Sequence, residues 1–304
     1  MDFRSDRVLI TGASGFTGRV LASRLRNEGA SVFGLGRVAT GPDEIAGDLN
    51  DPASLRRAVQ AARPTAVVHL AGVTHAAHGD VAEIYQSNVT GTAALLSAVR
   101  DHAQPRVVIL ASSATVYAAP IDDAPLSEDA PLVPQNHYGA SKMAMEQVAR
   151  LFAPTLPIVV TRPFNYTGAG QSPSFLVSKI VDHFVRGERS IELGNLDLYR
   201  DFSDVRTVVE AYLALLATAP VGEVLNLCSG RAVHLSTILD HLAAIAGYRI
   251  DVTINPAFVR AGEPRTIVGS TSRMDQAIGA LRPPPFVDTL RWMYEAGKAG
   301  GEGA

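Results

Sequence analysis

"VLITGASGFTGRVLASRL", residues 8–25, decides how the rest of the chain is read. A short apolar run ends at Thr11. Gly12, Gly15 and Gly18 follow at three-residue steps, and the third already falls inside a helical pattern. So tight a passage from strand to helix needs a residue without Cβ at the turn. A second such residue lets a phosphate approach the backbone, and a third lets the helix pack on the strand. The helix start then offers N–H donors and a partial positive charge to an anion. Glycines at this spacing are common by chance. Placed at the strand–helix junction of a leading βαβ unit, they predict a loop that cradles a dinucleotide pyrophosphate.

Further along, short β-branched runs alternate with longer helical patterns. Residues 7–10, 31–35, 66–72, 106–112 and 157–163 have the character of strands buried on both faces. Between them, Val81, Ile84, Tyr85, Val89, Leu95, Leu96 and Val99 recur at helical steps and predict one helix over 81–99. Strands alternating with helices imply right-handed parallel units, hence an α/β doubly wound sheet of Rossmann type. Past residue 164 the alternation loosens. The expected division is a dinucleotide-binding domain over 1–164 and a smaller, interleaved substrate lobe over 165–304. Within that lobe, 203–219 predicts a helix with Asp204 near its start, and "GEVLNLCSG" (222–230) a strand returning to the core sheet. "RPPPF" (282–286) predicts a rigid turn.

Composition narrows the function. The 304 residues carry 27 basic and 30 acidic side chains, with no Lys/Arg block, so no nucleic-acid partner is expected. The one cysteine, Cys228, excludes an internal disulfide framework and a cysteine metal cluster, and its apolar run predicts a buried strand thiol. No run approaches membrane-spanning length, and "MDFRSDRVLITG" has no signal-like apolar stretch. The expectation is a cytoplasmic protein without metal.

Two further stretches carry chemistry. "ILASSATVYA" (109–118) places Ser113 at the carboxyl edge of the fourth strand, where open α/β sheets bind ligands. "NHYGASKMA" (136–144) puts Tyr138 and Lys142 one turn apart on a single helix face. By itself that pair is equally the first turn of an ordinary helix. A free tyrosine, with a pKa of about 10, exchanges protons poorly near neutrality, and a neighbouring ammonium would lower that value.

Together, the G-x-x-G-x-x-G loop, Ser113 and Y-x-x-x-K resemble the short-chain dehydrogenase/reductase superfamily, in particular its extended branch with "TGxxGFxG". The resemblance implies that Ser113 binds the substrate oxygen, Tyr138 exchanges the proton and Lys142 holds the nicotinamide ribose. It also assigns Gly12, Gly15, Phe16, Gly18, Leu70, Ala71, Gly72 and Pro163 to the cofactor, with Asp48 and Leu49 at the adenine. Asn88 in "QSNVTGT" matches a structural position of these folds and is equally an ordinary helix-internal asparagine. At the end of the second strand, "VFGLGRVATG" offers no carboxylate for a ribose and places Arg37 nearby. That favours NADP(H), with NAD(H) still open.

"TRPFNYTGAGQSPSF" (161–175) and "GNLDLYRDFSDVRTVVEAY" (194–212) are similar to nucleotide-sugar epimerases, dehydratases and reductases, above all the GDP-6-deoxy-4-keto-mannose reductases. The likeness implies sugar-nucleotide contacts from Asn165 and Lys179, diphosphate contacts from Arg200 and Arg260, and a ribose contact from Glu263. For each arginine a surface ion pair is the alternative, with Asp201 and Asp204 beside Arg200. Thr115 stands where the dehydratases carry an acid, which removes the second acid/base that dehydration needs and leaves this residue to contact substrate. Ala118 replaces a usual glycine. His75 and His78 are placed at the rim and are also ordinary loop residues. Three functions follow: a 4-ketoreductase of a nucleotide-linked 6-deoxy-4-keto sugar, of the GDP-4-keto-6-deoxy-mannose type, a 4-epimerase with tightly held NAD, or a dinucleotide sensor. The resemblance further implies a homodimer through 81–100 and 137–152.

Overall fold

The computed structural model describes residues 1–39, 41–73, 80–120, 122–259 and 262–301. β1 (Arg7–Thr11) runs into α1 (Phe16–Asn27), and β2 (Ser31–Gly36) returns parallel beside it. The chain continues through β3 (Glu44–Ala46), α2 (Pro52–Ala62), β4 (Ala66–His69), α3 (Val81–Tyr85), α4 (Thr92–His102), β5 (Val107–Ala111), α5 (His137–Phe152) and β6 (Ile158–Pro163). Then come β7 (Asn165–Thr167), α6 (Leu176–Arg186), β8 (Ser190–Leu193), β9 (Tyr199–Asp204), α7 (Val205–Thr218) and β10 (Val224–Leu227). The last elements are β11 (Ala232–His234), α8 (Leu235–Ala246), β12 (Asp251–Ile254), β13 (Thr266–Ile267), α9 (Ser272–Ile278) and α10 (Phe286–Gly301).

The central sheet has the order β3-β2-β1-β4-β5-β6-β10, and every neighbouring pair is parallel. This is the doubly wound α/β architecture that the alternating pattern predicts. Successive residues of each strand serve opposite layers. Val8, Ile10, Val68 and Ile109 pack with Leu21, Leu25, Val208 and Tyr212 of α1 and α7. Leu9, Val67, Val108 and Leu110 pack with Leu55, Val59, Leu95, Val99 and Met145 of α2, α4 and α5. Strand order reverses between β1 and β4, and the crevice beyond their carboxyl ends is where such sheets take ligands.

Local chemistry starts the helices. Asp51 accepts from the Ala53 N–H ahead of α2, with Pro52 at the first helical position. Asn136 accepts from Gly139 N–H at the head of α5, and Asp204 accepts from Arg206 N–H at the head of α7, the capping role its position predicts.

Two elements differ from the sequence reading. The strand expected over 66–72 ends at His69: Leu70 N–H still donates to the Thr11 carbonyl at 3.2 Å, and β1 then turns away at Gly12. The helix expected over 81–99 is interrupted by a wider π-turn, Gln86–Gly91. Cys228 also lies just past β10, half-buried rather than within the strand, and burial raises its thiol above the usual range.

Beyond β6 a second core forms from Val177, Ile180, Phe184, Leu193, Phe202, Ile238, Leu242, Leu290 and Met293. Its strands pair across long separations: β9 joins β7 and β13 in parallel and β11 in antiparallel sense, while β8 joins β12. Between them β10 crosses back to β6. Among the described residues no helix is long and apolar enough to cross a membrane.

Candidate active site

The glycine loop is as tight as its residue types require. Gly12 adopts φ +70°, and a Cβ there would lie 2.9 Å from Ala71 N. A Cβ on Gly18 would come within 2.1 Å of the Gly12 carbonyl oxygen, so α1 can lie against the loop only with glycine there. Gly15 N–H donates to that carbonyl at 3.0 Å and begins α1, whose start has no side-chain cap. The start of α1 thus carries first-turn N–H groups with no side-chain cap, beside a Gly12 turn that lies against Leu70 and Ala71. That arrangement fits a pyrophosphate.

Arg37 is exposed immediately after β2. Asp48 accepts from Asn50 N–H at 2.9 Å, and Leu49 packs against Gly91 of the π-turn. Pro163 closes β6. Phe16 stacks on Tyr166, with ring centroids 6.2 Å apart, and the Tyr166 hydroxyl bonds Thr17 Oγ1 at 2.8 Å.

Ser113 follows β5 and is buried, accepting from Thr115 N–H at 3.2 Å and from the Thr115 hydroxyl at 2.9 Å. Lys142 Nζ donates to the Ala111 carbonyl at 2.8 Å and stands 5.9 Å from the Tyr138 ring centroid. Burial pushes the Tyr138 phenol up to about 12; Tyr166 adds to this, while a hydrogen bond with Ser113 opposes it. Burial likewise brings the Lys142 ammonium down to about 8, against the charge of Glu146. The expectation that Lys142 lowers the Tyr138 pKa is thus corrected: burial sets the direction of the shift, the opposing influence comes from Ser113 rather than from Lys142, and the phenol keeps its proton at neutral pH. Such a group is a proton donor in waiting.

Three supporting residues escape a reading by motif. Glu146, one turn beyond Lys142, accepts from Ser112 Oγ at 2.5 Å and from Arg162 Nε and Nη2 at 2.9 and 2.7 Å. Its spacing from Lys142 repeats that of Lys142 from Tyr138, which was the available signal. His69 is a polar residue in an otherwise apolar buried strand, and Tyr166 directly follows Asn165. The π-turn gives Asn88 its reach. Its side chain accepts from Val73 N–H at 2.9 Å and donates to Val73 O and Ser141 Oγ at 3.1 and 3.0 Å.

The residues expected at the sugar nucleotide are more scattered. Asn165 is exposed at the start of β7 and donates to the Asp201 carbonyl at 3.3 Å. Thr115 is exposed beside Ser113. Arg200 and Glu263, assigned separate tasks by resemblance, pair with each other at 2.9 Å with only 12% and 19% side-chain exposure. Asp201 and Asp204 are occupied elsewhere, Asp201 by Ser229 and Gly230 and Asp204 by Arg206. Lys179 donates to the Glu192 carbonyl at 2.7 Å and lies over Phe258, 4.7 Å from its ring centroid. Arg260, His75 and His78 lie outside the described residues. Among the described residues no group of three or more His, Cys, Asp or Glu is placed to hold a metal ion.

A phosphate cradle at the switch point, opening beside a proton-holding tyrosine, is the arrangement of an NAD(P)-dependent oxidoreductase. The chain belongs to the NAD dependent epimerase/dehydratase family, whose profile matches residues 8–228. It is 32% identical over 275 residues to the GDP-6-deoxy-D-talose 4-dehydrogenase of Aggregatibacter actinomycetemcomitans, covering 90% of this chain and 91% of that one. It is 33% identical over 285 residues to the GDP-6-deoxy-D-mannose reductase of Pseudomonas aeruginosa, with the same coverage of 90% and 91%. The structure of Pseudomonas aeruginosa RMD complexed with NADPH superposes with a TM-score of 0.87 at 30% identity, over 97% of this chain and 99% of that one.

Proposed function

We propose that the protein reduces the 4-keto group of a nucleotide-linked 6-deoxy-4-keto sugar, of the GDP-4-keto-6-deoxy-mannose type. The observation that carries this reading is the half-buried Tyr138 phenol, its pKa raised so that it is still protonated, facing buried Ser113 at the carboxyl edge of the sheet. The relatives named for GDP-sugars support it. Their two sugars differ in configuration at carbon 4, so one 4-keto compound stands behind both.

In this reading Gly12, Gly15 and Gly18 receive the pyrophosphate, and Arg37 favours NADPH over NADH. When bound, the reduced dinucleotide supplies a hydride to the carbonyl carbon. Ser113 donates a hydrogen bond to the carbonyl oxygen and holds it within reach of Tyr138, which gives that oxygen its proton. Lys142, anchored on Ala111, replenishes positive charge beside the phenolate that remains. Residues 1–164 serve the dinucleotide and 165–304 mainly the sugar nucleotide, with Asn165, Thr115 and the Arg200–Glu263 pair toward the substrate. The working form is a cytoplasmic homodimer joined through 81–100 and 137–152.

The test is loss of NADPH absorbance with freshly prepared GDP-4-keto-6-deoxy-mannose, followed by analysis of the product's configuration at carbon 4. Turnover with either reduced dinucleotide supports the reading. Interconversion of a 4-hydroxy sugar nucleotide without added dinucleotide would replace it with a 4-epimerase.

A further inference from the structure

His69, the last residue of β4, is 2% exposed and lies beneath the crevice. Both ring nitrogens are engaged: Nδ1 is 2.6 Å from Thr11 Oγ1 and Nε2 is 2.9 Å from Thr92 Oγ1. The outer partners set the direction of each bond. The Thr92 hydroxyl commits its only proton to the Asn88 carbonyl at 2.8 Å, so it must accept from Nε2–H. At the other end, Thr11 Oγ1 accepts from Ala71 N–H at 3.0 Å and has its own proton to give to Nδ1. Burial, and then the Lys142 ammonium, keep the ring from taking a second proton and hold its pKa down to about 3.

The resulting relay runs from Ala71 N–H through Thr11, His69 and Thr92 to the Asn88 carbonyl. One end lies where the parallel strands β1 and β4 finish, so close together that a Cβ on Gly12 would stand 2.9 Å from Ala71 N. The other reaches α5, because Asn88 donates to Ser141 Oγ and Ser141 donates to the Tyr138 carbonyl at 2.7 Å. We propose that His69, with its single proton on Nε2, is a positioning residue for the dinucleotide. It fixes the Thr11–Ala71 hydrogen bond at the carboxyl ends of β1 and β4, beside the glycine loop. This rests on the reading that the crevice holds NADPH or NADH.

The test uses full-length protein labelled with 15N-histidine, with His69→Asn to assign the signal. At pH 7 the two-bond proton–nitrogen pattern of His69 is that of the neutral Nε2–H form. An Nδ1–H pattern or a doubly protonated ring overturns the proposal. His69→Gln keeps a donor toward Thr92 but leaves Thr11 without its acceptor, whereas His69→Asn keeps an acceptor near Thr11. By fluorescence titration, the NADPH Kd rises about tenfold in His69→Gln, the effect of one buried hydroxyl left unpaired, and less in His69→Asn. The KM for the sugar nucleotide stays unchanged. Equal Kd values for His69→Gln and wild type overturn the proposal, as does a matching loss of sugar-nucleotide KM, which marks general loosening. If His69→Gln does not fold, the wild-type spectrum and the His69→Asn titration decide. Wild type that binds neither dinucleotide refutes the proposed function and this inference with it; wild type that binds while the variants match it refutes this inference alone.

Discussion

Glu146 and Arg162 are each 2% exposed, and their charges meet through two hydrogen bonds of 2.9 and 2.7 Å. Glu146 also takes the Ser112 hydroxyl, next to Ser113, while Arg162 Nη1 reaches Tyr117 OH at 3.1 Å and the Glu128 carbonyl at 2.9 Å. The pair therefore clamps the catalytic helix α5 onto the end of β5 and onto β6. Removing one member strands the other charge away from water. Glu146→Leu or Arg162→Met alone is expected to cost about 3–5 kcal/mol, a large share of the roughly 5–15 kcal/mol that stabilises a domain. The double variant Glu146→Leu/Arg162→Met strands neither member of the pair, and only Lys142 loses the supporting charge of Glu146. Tyr117 keeps its 2.6 Å bond to Asn226, so the residual losses are the Ser112 hydroxyl and the Glu128 carbonyl, about 1–3 kcal/mol each. The double variant is thus more stable than the sum of the singles by several kcal/mol, and close to or above either one. Urea unfolding of the four proteins measures this as a double-mutant cycle. Additive losses would refute the reasoning, because they would mean that neither charge depends on the other.

Four further outcomes are expected. The folded pKa of His69, about 3, lies below its unfolded 6.5, so its contribution is complete above pH 6.5 and is lost as pH falls. Wild type should lose about 2 kcal/mol more than His69→Gln between pH 7.5 and 5, and parallel stability–pH curves from chemical unfolding would contradict this. Tyr138→Phe should lower turnover by about 10²–10⁴-fold while NADPH titration shows retained affinity; loss of both would mean that the phenol is structural. Gly12→Ala forces φ +70° on a residue with a Cβ 2.9 Å from Ala71 N, so it should destabilise the fold by about 1–3 kcal/mol and weaken dinucleotide binding. Thermal unfolding and titration check both effects. Arg37→Ala should raise the Kd for NADPH and leave that for NADH unchanged, and equal effects on the two would remove Arg37 from the 2′-phosphate.

What could be read from the sequence was what local geometry demands. Gly12 and Gly18 are required by approaches within one strand–turn–helix. The core strands declare themselves by β-branched runs, and Tyr138 and Lys142 by one helical turn. Where partners come from distant segments, no local signal exists. β9 is completed by Asn165–Thr167 before it and Thr266–Ile267 after it, three- and two-residue strands too short to carry a periodic pattern. Arg200 and Glu263 meet across a similar gap, which is why two residues given separate tasks turn out to face each other. The π-turn at Asn88 hides for another reason: one extra residue in a turn leaves three- and four-residue apolar spacing almost intact.

The ionisation of the site shows the same division. Spacing places an ammonium near a phenol, and by charge alone the phenol's pKa should fall. Its actual direction is set first by burial, and Tyr166, which the fold brings in from beyond β6, adds an unfavourable electrostatic influence. Lys142 follows the same rule, with Glu146 the local influence and burial the larger, non-local one. A motif thus singles out the atoms to which proton exchange is assigned in the proposed function, whereas the protonation of those atoms at neutral pH is a property of the packed core around them. The buried polar residues of that core are His69 at the end of β4 and the Glu146–Arg162 pair against α5, next to the residues proposed to react, Ser113, Tyr138 and Lys142.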